Sequence, residues 1–464
     1  MKEPIQSSEM LRQNDLAHVW HPYTQMAEYS PGDRSPIIER GEGVYVYDIE
    51  GKRYLDGYSQ MWCNVWGHAN SEINAAISEQ LDRIAHSSLF SASSVPTIEL
   101  ATKLVELCAR EFPNTDSGNA LSHVFFSDNG STGVEVALKI ALQYQANIGQ
   151  TQRNRFLCFS DAYHGDTGTT MTLGGVEIFR KTYEALTFEV LRADYPMRSN
   201  SFDPPDSTEE ATYQSALTNL RTLFEDHGKS LAGVVIEPAC QGAGGIRPLF
   251  PGYLKALREL CDEHGVLLIA DEILVAFGRC GSMFGSSLED VTPDLLCLSK
   301  GLTAGYLPLA TTLASSRIYD EFLGTREDFR HLLHGHTFTG NQVGCATALK
   351  SLEMVEKHGL IGQIRDQMPF IEERLKALHQ TPEVSRIRHC GMMMGIEIST
   401  DDSEGYTSHV GQSICAHALE LGTIIRPLGN IIVLMPILAS SREELAELFD
   451  TTEKAIAKGV KTPL

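Results

Sequence analysis

Short apolar runs alternate with amphipathic stretches through the middle of the chain. His123–Ser127, Arg155–Phe159, Leu231–Glu237, Val266–Asp271 and Leu295–Ser299 are the apolar runs. Their length and near-continuous apolar character predict strands buried on both faces. Thr97–Glu111, Gly133–Tyr144 and Tyr253–His264 carry apolar residues at helical spacing. Strands of this kind between such helices predict an α/β fold, a mainly parallel sheet covered by helices. The stretch Arg198–Ser207, with Asp203-Pro-Pro-Asp206, reads as a loop inside it.

The pattern differs at the two ends. Val44-Tyr-Val-Tyr alternates toward Asp48, turns at Glu50-Gly51 and returns through Tyr54-Leu-Asp56, which predicts a hairpin. Ser71–His86 follows with helical spacing, Ile73, Ala76, Ile77, Leu81 and Ile84 falling on one side. After residue 340 comes a bridging helix, Gly344–Glu356, then helices 360–379 and 408–421, strands 392–398 and 431–435, and a closing helix 442–458. The expected organisation is a large domain over 91–340 and a small α+β domain assembled from 1–90 and 341–464.

Composition narrows the partners. The chain has 464 residues, 42% hydrophobic and 21% charged, as in ordinary globular proteins. A net charge of −22 repels phosphates, so nucleic acid and anionic membrane are not expected partners. The ten cysteines are scattered and form no C-x-x-C pair, which disfavours a zinc ribbon or a dithiol motif and predicts reduced thiols. The N-terminus lacks the apolar core of a signal peptide, and no run is long enough to span a membrane. The expected location is the cytoplasm.

Two strand ends carry the chemistry. Asp294-Leu-Leu-Cys-Leu-Ser-Lys300 delivers a lysine to its tip, and Val266-Leu-Leu-Ile-Ala-Asp271 delivers a carboxylate. Pyridoxal phosphate requires such a pair. The acid keeps the pyridine nitrogen protonated, and the lysine forms a Schiff base with the aldehyde. A buried aspartate needs a cation or good hydrogen bonds, and the pyridinium is a fitting partner.

Other junctions fill out the pocket. Phe125-Phe-Ser-Asp-Asn-Gly130-Ser131-Thr132-Gly133 runs from a strand into a helix start, which is either an anion site for a phosphate or a plain cap. Tyr163, in Asp161-Ala-Tyr163-His164-Gly165-Asp166, is placed to stack on a flat ring or to pack half-buried in the core. Glu237 ends its strand beside a Gln241-Gly-Ala-Gly-Gly245 turn and suits a polar pocket lip. That turn is followed by Ile-Arg-Pro248, and the proline rules out the helix a dinucleotide site needs. His334 and His336 lack a third clustered ligand, so no metal is expected, and the Thr-rich turn suits a phosphate. Arg426, beside the turn at Gly429, is either a carboxylate fork or a surface ion pair.

In order and spacing these motifs resemble the class III, fold-type-I aminotransferases that use pyridoxal phosphate, over nearly the whole chain. Asp271-Glu-Ile, Phe277-Gly-Arg279, Ser299-Lys300-Gly301 and His334–Asn341 carry that resemblance. Val19-Trp-His-Pro-Tyr-Thr-Gln-Met26, Ser127–Ser131, Tyr163-His-Gly-Asp166 and Ile425-Arg-Pro-Leu-Gly429 are similar to the branch that acts in biotin biosynthesis. The resemblance implies a homodimer whose active sites are shared between subunits. It implies transfer of an amino group to 8-amino-7-oxononanoate, with another ω-amino-acid or diamine transamination as the alternative. Lys300 and Asp271 then take the roles given above, and Tyr163 stacks on the cofactor. Gly130 and Ser131 hold the phosphate with His336 and Thr337 of the neighbouring subunit. Tyr23, Met61, Trp62, Tyr163, Gly335 and Arg426 line the substrate pocket. Met61 stands where the family has the first tryptophan of a pair, and His336 where many adenosylmethionine users have proline. Both features are similar to the branch that takes lysine, so the expected donor is S-adenosyl-L-methionine or lysine.

Overall fold

The structure, a computed structural model, describes residues 7–32, 35–199, 202, 205–399 and 405–461. Seven strands form the central sheet: β1 (Leu121–Ser127), β2 (Arg155–Phe159), β3 (Leu191–Ala193), β4 (Leu231–Ile236), β5 (Leu267–Asp271), β6 (Leu295–Leu298) and β7 (Ala310–Ser315). Their spatial order is β1-β7-β6-β5-β4-β2-β3. Strands β6, β5, β4, β2 and β3 pair in parallel, while β7 runs antiparallel to both β6 and β1.

Both faces of this sheet are covered, as the apolar runs require. Leu295 and Cys297 pack on one side with Val134, Ala137 and Ala141 of helix Gly130–Asn147. Leu296 and Leu298 pack on the other with Leu100, Leu104 and Leu107 of helix Val95–Glu111. Further along, Val234, Ile236 and Leu268 meet Leu220 and Phe224 of helix Ser207–His227 and Leu257 of helix Tyr253–His264. The period-2 alternation of side chains sends neighbours in one strand to opposite cores.

The chain departs from its local pattern in several places. Strand β7 reads Ala-Thr-Thr-Leu-Ala-Ser, with neither an apolar run nor clean alternation. It is central only because its neighbours enclose it, and Thr312 Oγ1 donates to the Gly133 carbonyl at 2.7 Å. Helix Ser207–His227 is capped by the Asp206 carboxylate but has a weak apolar stripe, so it too escapes periodicity. The expected loop at Arg198–Ser207 lies partly outside the described residues. In helix Ser71–Arg83 the expected apolar side is only partly covered. Ile73 is buried, while Leu81 is 53% exposed and Ile84, just past the helix, is 46% exposed.

The hairpin forms as expected, Tyr45–Asp48 pairing antiparallel with Arg53–Asp56, and Ile38–Glu42 adds an outer strand. Thr423–Ile424 pairs in parallel with Leu55 and Asp56, so the two ends of the chain share one sheet. A second four-stranded sheet, Val384–Cys390, Met393–Ile398, Ile431–Leu434 and Arg426–Leu428, completes the C-terminal part. Among the described residues no helix is long and apolar enough to cross a membrane.

Candidate active site

The parallel strands of the sheet end at a common edge, the usual place for a ligand in an open α/β sheet. There a cavity of about 460 Å³ is lined by Gly130, Ser131, Tyr163, His164, Glu237, Asp271, Lys300 and Trp62. Six of these were expected in the site from sequence alone, and Trp62 from the resemblance; His164 was not assigned a role. Lys300 opens a short 3-10 turn after β6 with a left-handed backbone, φ 38°. Such a conformation is costly for a side chain bearing a Cβ and marks a functional constraint. Its Nζ lies 5.9 Å from the centre of the Trp62 ring.

The carboxylates are held by specific donors. Asp271 is 4% exposed; its Oδ2 lies 2.7 Å from His164 Nδ1, and its Oδ1 accepts from the Ile273 amide at 3.2 Å. Burial alone pushes the His164 pKa down, but the hydrogen bond and charge of Asp271 outweigh it and leave the imidazole raised. Glu237 accepts from the Tyr163 amide at 3.0 Å and the Gly242 amide at 3.1 Å. Burial, opposed by His164, lifts its pKa to about 7. Burial pulls the Lys300 ammonium below its ordinary value, against the attraction of Asp271 and Glu237. A lysine with a depressed pKa has a larger neutral fraction, which is the nucleophilic and basic form.

These groups fit pyridoxal phosphate. Asp271 offers a charged acceptor to a protonated ring nitrogen. The Nε2 of His164 is buried with no hydrogen-bond partner among the described residues, so the site holds polar capacity the protein itself does not use. At the other end, Asn129 caps the 18-residue helix Gly130–Asn147 and exchanges bonds with Thr132. The first amides of a helix have no intrahelical acceptor, and the helix dipole favours an anion there. The approach is open because side chains are absent: a Cβ on Gly130 would come within 2.9 Å of Ile273. A Cβ on Gly165, where φ is 127°, would overlap Ser131 Oγ. Gly165→Ala should therefore weaken cofactor affinity about tenfold or more, through combined strain and displacement of Ser131. Titration of the apoprotein measures this, and unchanged affinity contradicts the packing argument.

A second chamber, about 1010 Å³, adjoins the first and contains Tyr23, Asp166, Phe179, Tyr406 and Arg426. Tyr163 and Tyr23 both donate to the Asp166 carboxylate at 2.8 Å, so one acid ties the inner cavity's aromatic residue to the outer chamber's. Burial, then the bond to Asp166, raises the Tyr23 hydroxyl well above its ordinary pKa. Burial chiefly raises Tyr163 as well, with the charges around it adding to the effect. Both phenols therefore stay protonated and act as donors. Arg426 Nε is buried and has no hydrogen-bond partner among the described residues.

Trp62 sits on an unusual turn. Ser59, Gln60, Met61 and Trp62 all have positive φ, between 45° and 73°. Each such residue costs roughly 1–2 kcal/mol, and the surroundings hold them there. Ser59 Oγ donates to the Met435 carbonyl at 2.6 Å. The buried Arg279 donates to the Pro436 carbonyl at 2.6 Å and to Ser59 Oγ and the Asn64 carbonyl at 3.3 Å each. The turn buries Trp62 to 5% exposure in the cavity wall and leaves Met61 42% exposed, outside the lining of both cavities.

Gly335, His336 and Thr337 do not line either cavity within one chain. His336 Nδ1 stands 3.5 Å from Asp128 Oδ2, and the Nε2 atoms of His334 and His336 are 3.1 Å apart. No group of three metal-ligating side chains occurs among the described residues.

Several site residues carried no role in the sequence reading. His164 and Asp166 lie inside a motif already singled out for Tyr163, but their partners are distant in the chain. Phe179 and Tyr406 have no local signal beyond being aromatic residues in polar surroundings.

The family model for aminotransferase class-III matches residues 29–456. The chain is 42% identical over 457 residues to adenosylmethionine-8-amino-7-oxononanoate aminotransferase of Geobacter sulfurreducens, covering 98% of each. The crystal structure of adenosylmethionine-8-amino-7-oxononanoate aminotransferase from Methanocaldococcus jannaschii superposes with a TM-score of 0.89 at 37% identity, covering 97% of this chain and 99% of that one. An amine transaminase from an uncultivated Pseudomonas species, in its PLP-bound form, superposes with a TM-score of 0.86 at 33% identity, covering 95% and 98%.

Proposed function

The chain belongs to the class-III aminotransferases, which depend on pyridoxal phosphate, and from that premise we propose that it aminates 8-amino-7-oxononanoate to 7,8-diaminononanoate for biotin synthesis, with adenosylmethionine as donor. The observation that carries the choice of acceptor is Arg426. Its guanidinium lines the outer chamber with a buried, unpartnered Nε. The same wall is mixed, with Thr24, Asp166 and Gln412 beside the apolar and aromatic Met171, Ile178 and Phe179. A chamber that sets one arginine among such side chains suits an unbranched chain ending in a carboxylate. The relatives named for this reaction support the reading, as their similarity runs the length of the chain. Another class III ω-amino-acid or diamine transamination is the alternative, and one solved relative is named an amine transaminase. A diamine has no need of a carboxylate fork.

When bound, pyridoxal phosphate supplies an aldehyde that joins an amine and a ring that accepts the electron pair left when the adjacent carbon loses its proton. The protein does the rest. Gly130 and Ser131 would hold the phosphate at the helix start, and Tyr163 would face the ring. Asp271, fixed by His164, would keep the ring nitrogen protonated. Lys300 Nζ takes the proton from the donor carbon and returns one to the acceptor carbon. Trp62 walls the inner cavity against water, and Arg426 fixes the distal carboxylate.

We place the active protein in a homodimer in which a second copy brings His336 and Thr337 to the phosphate and Gly335 to the substrate pocket. Within one chain these residues lie away from the cavity, among exposed apolar side chains: Phe90 is 72% exposed, Phe329 66%, Leu333 60% and Phe338 57%. A patch of that character favours burial against another protein surface.

Wild-type enzyme with adenosylmethionine should convert 8-amino-7-oxononanoate and neglect the analogue lacking its carboxylate. Arg426→Ala should raise the KM for the acceptor about 10- to 100-fold, the worth of hydrogen bonds to a charged group, with kcat little changed. Failure of the wild type to aminate this acceptor from any donor would sink the reading.

A further inference from the structure

Tyr23 is carried by a segment that the hydrophobic core does not hold. Helix Ser8–His18 comes first, and none of its residues is buried. Leu16 is 51% exposed and Tyr23 itself 56%. Tyr23 also has a left-handed backbone, φ 54°, which a residue bearing a Cβ keeps only when its surroundings impose it. Neither burial nor local backbone preference fixes this side chain, yet its hydroxyl meets both oxygens of Asp166 at 2.8 Å.

The restraint comes from Asp15. Its carboxylate is 18% exposed and lies between two residues that flank Tyr23 in the chain. His21 Nε2 stands 3.1 and 3.2 Å from its two oxygens, and the Tyr29 hydroxyl donates to Oδ2 at 2.8 Å. The His21 and Tyr29 rings lie against each other, with centroids 4.2 Å apart and planes at 32°. One acid thus ties both ends of the segment 21–29 to the helix and closes a loop with Tyr23 inside it. The helix is fixed to the body by Arg12, which pairs with Glu50 and lies on Gly32, where a Cβ would overlap it. Hydrogen bonds to a charged acceptor are stronger than neutral ones. A loop closed at both ends also has less freedom to lose when a ligand arrives.

We propose that Asp15 is a positioning residue for substrate binding: through His21 and Tyr29 it sets Tyr23 against Asp166, from outside the chamber that Tyr23 lines. Asp15 lines neither cavity, so its effect passes through Tyr23. This rests on the reading that Tyr23 belongs to the substrate pocket.

The test is a double-mutant cycle on the full holoenzyme, with adenosylmethionine and 8-amino-7-oxononanoate as substrates. Asp15→Ala should lower kcat/KM for the acceptor about tenfold, through KM, with kcat within about twofold of wild type. In a Tyr23→Ala background, where no ring is left to position, the same substitution should cost less than about twofold. Amide exchange over residues 19–29 should quicken about tenfold in Asp15→Ala, while the core amides keep their wild-type protection. A merely structural role for Asp15 predicts the same penalty in both backgrounds, and that result overturns the proposal. So does an Asp15→Ala variant with wild-type KM, or one whose amides at 19–29 exchange as in wild type. If Tyr23→Ala alone leaves both KM values unchanged, the pocket reading of Tyr23 falls together with the role of Asp15. If Tyr23→Ala raises them and Asp15→Ala does not, only the positioning role falls.

Discussion

Lys300→Ala is expected to leave no more than about one part in 10⁴ of wild-type transamination, the scale on which loss of a group that acts as both nucleophile and proton carrier is felt. Among the described residues no lysine other than Lys300 lines the inner cavity. Its depressed pKa follows mainly from burial, so the effect belongs to this position and not to lysine in general. The charges of Asp271 and Glu237 oppose that shift. Borohydride treatment followed by peptide mapping should find the cofactor fixed to Lys300 in wild type and to nothing in the variant. Removal of a left-handed lysine side chain does not relieve the backbone, because alanine keeps the Cβ. The fold should therefore be retained at nearly wild-type stability. A variant with substantial activity, or covalent trapping at a different residue, defeats the assignment.

Asp271→Asn should lower kcat about 10²- to 10³-fold, the loss seen when one preorganised electrostatic partner of a reacting centre is removed. The amide is the same size and can still accept from His164, which is 2.7 Å away. It cannot hold a proton on the ring nitrogen, so the electron pair released at the substrate carbon has a poorer sink. Stability should fall as well, because the neutral amide no longer balances the buried His164 imidazole that Asp271 holds raised. A thermal melt of the apoprotein checks this. Partial recovery of activity with a cofactor analogue methylated at the ring nitrogen, which carries a fixed charge, distinguishes lost electrostatics from lost packing. An Asn variant with wild-type kcat contradicts the role given to Asp271.

Particular residues show why the site was partly legible before the fold. Asp271 and Lys300 stand at the tips of β5 and β6, and a parallel sheet brings such tips to one edge whatever the rest of the chain does. Gly130 and Ser131 announce themselves because a helix start after a strand is a local event. His164 is different. Its value lies in a contact with Asp271 across 107 residues, and nothing in its own neighbourhood marks that partner. Tyr23 reaches Asp166 across 143 residues. Met61 ends exposed and Trp62 buried on a turn of four successive positive-φ residues, which Arg279 holds from outside through Ser59.

The chain by itself determined the parallel sheet, the two strand ends that carry the acid and the lysine, and the helix start suited to a phosphate. Each of these follows from short-range periodicity and from the direction in which a strand leaves a sheet. Tertiary structure alone decided where β7 enters, how Asp271 is held, which wall Trp62 forms, and how Phe179 meets Tyr23, Tyr163 and Tyr406. Those features rest on contacts between segments far apart in the chain, whose free energy exists only when the whole core is packed. A polar or small residue with no local pattern acquires its role from the neighbours that packing brings to it.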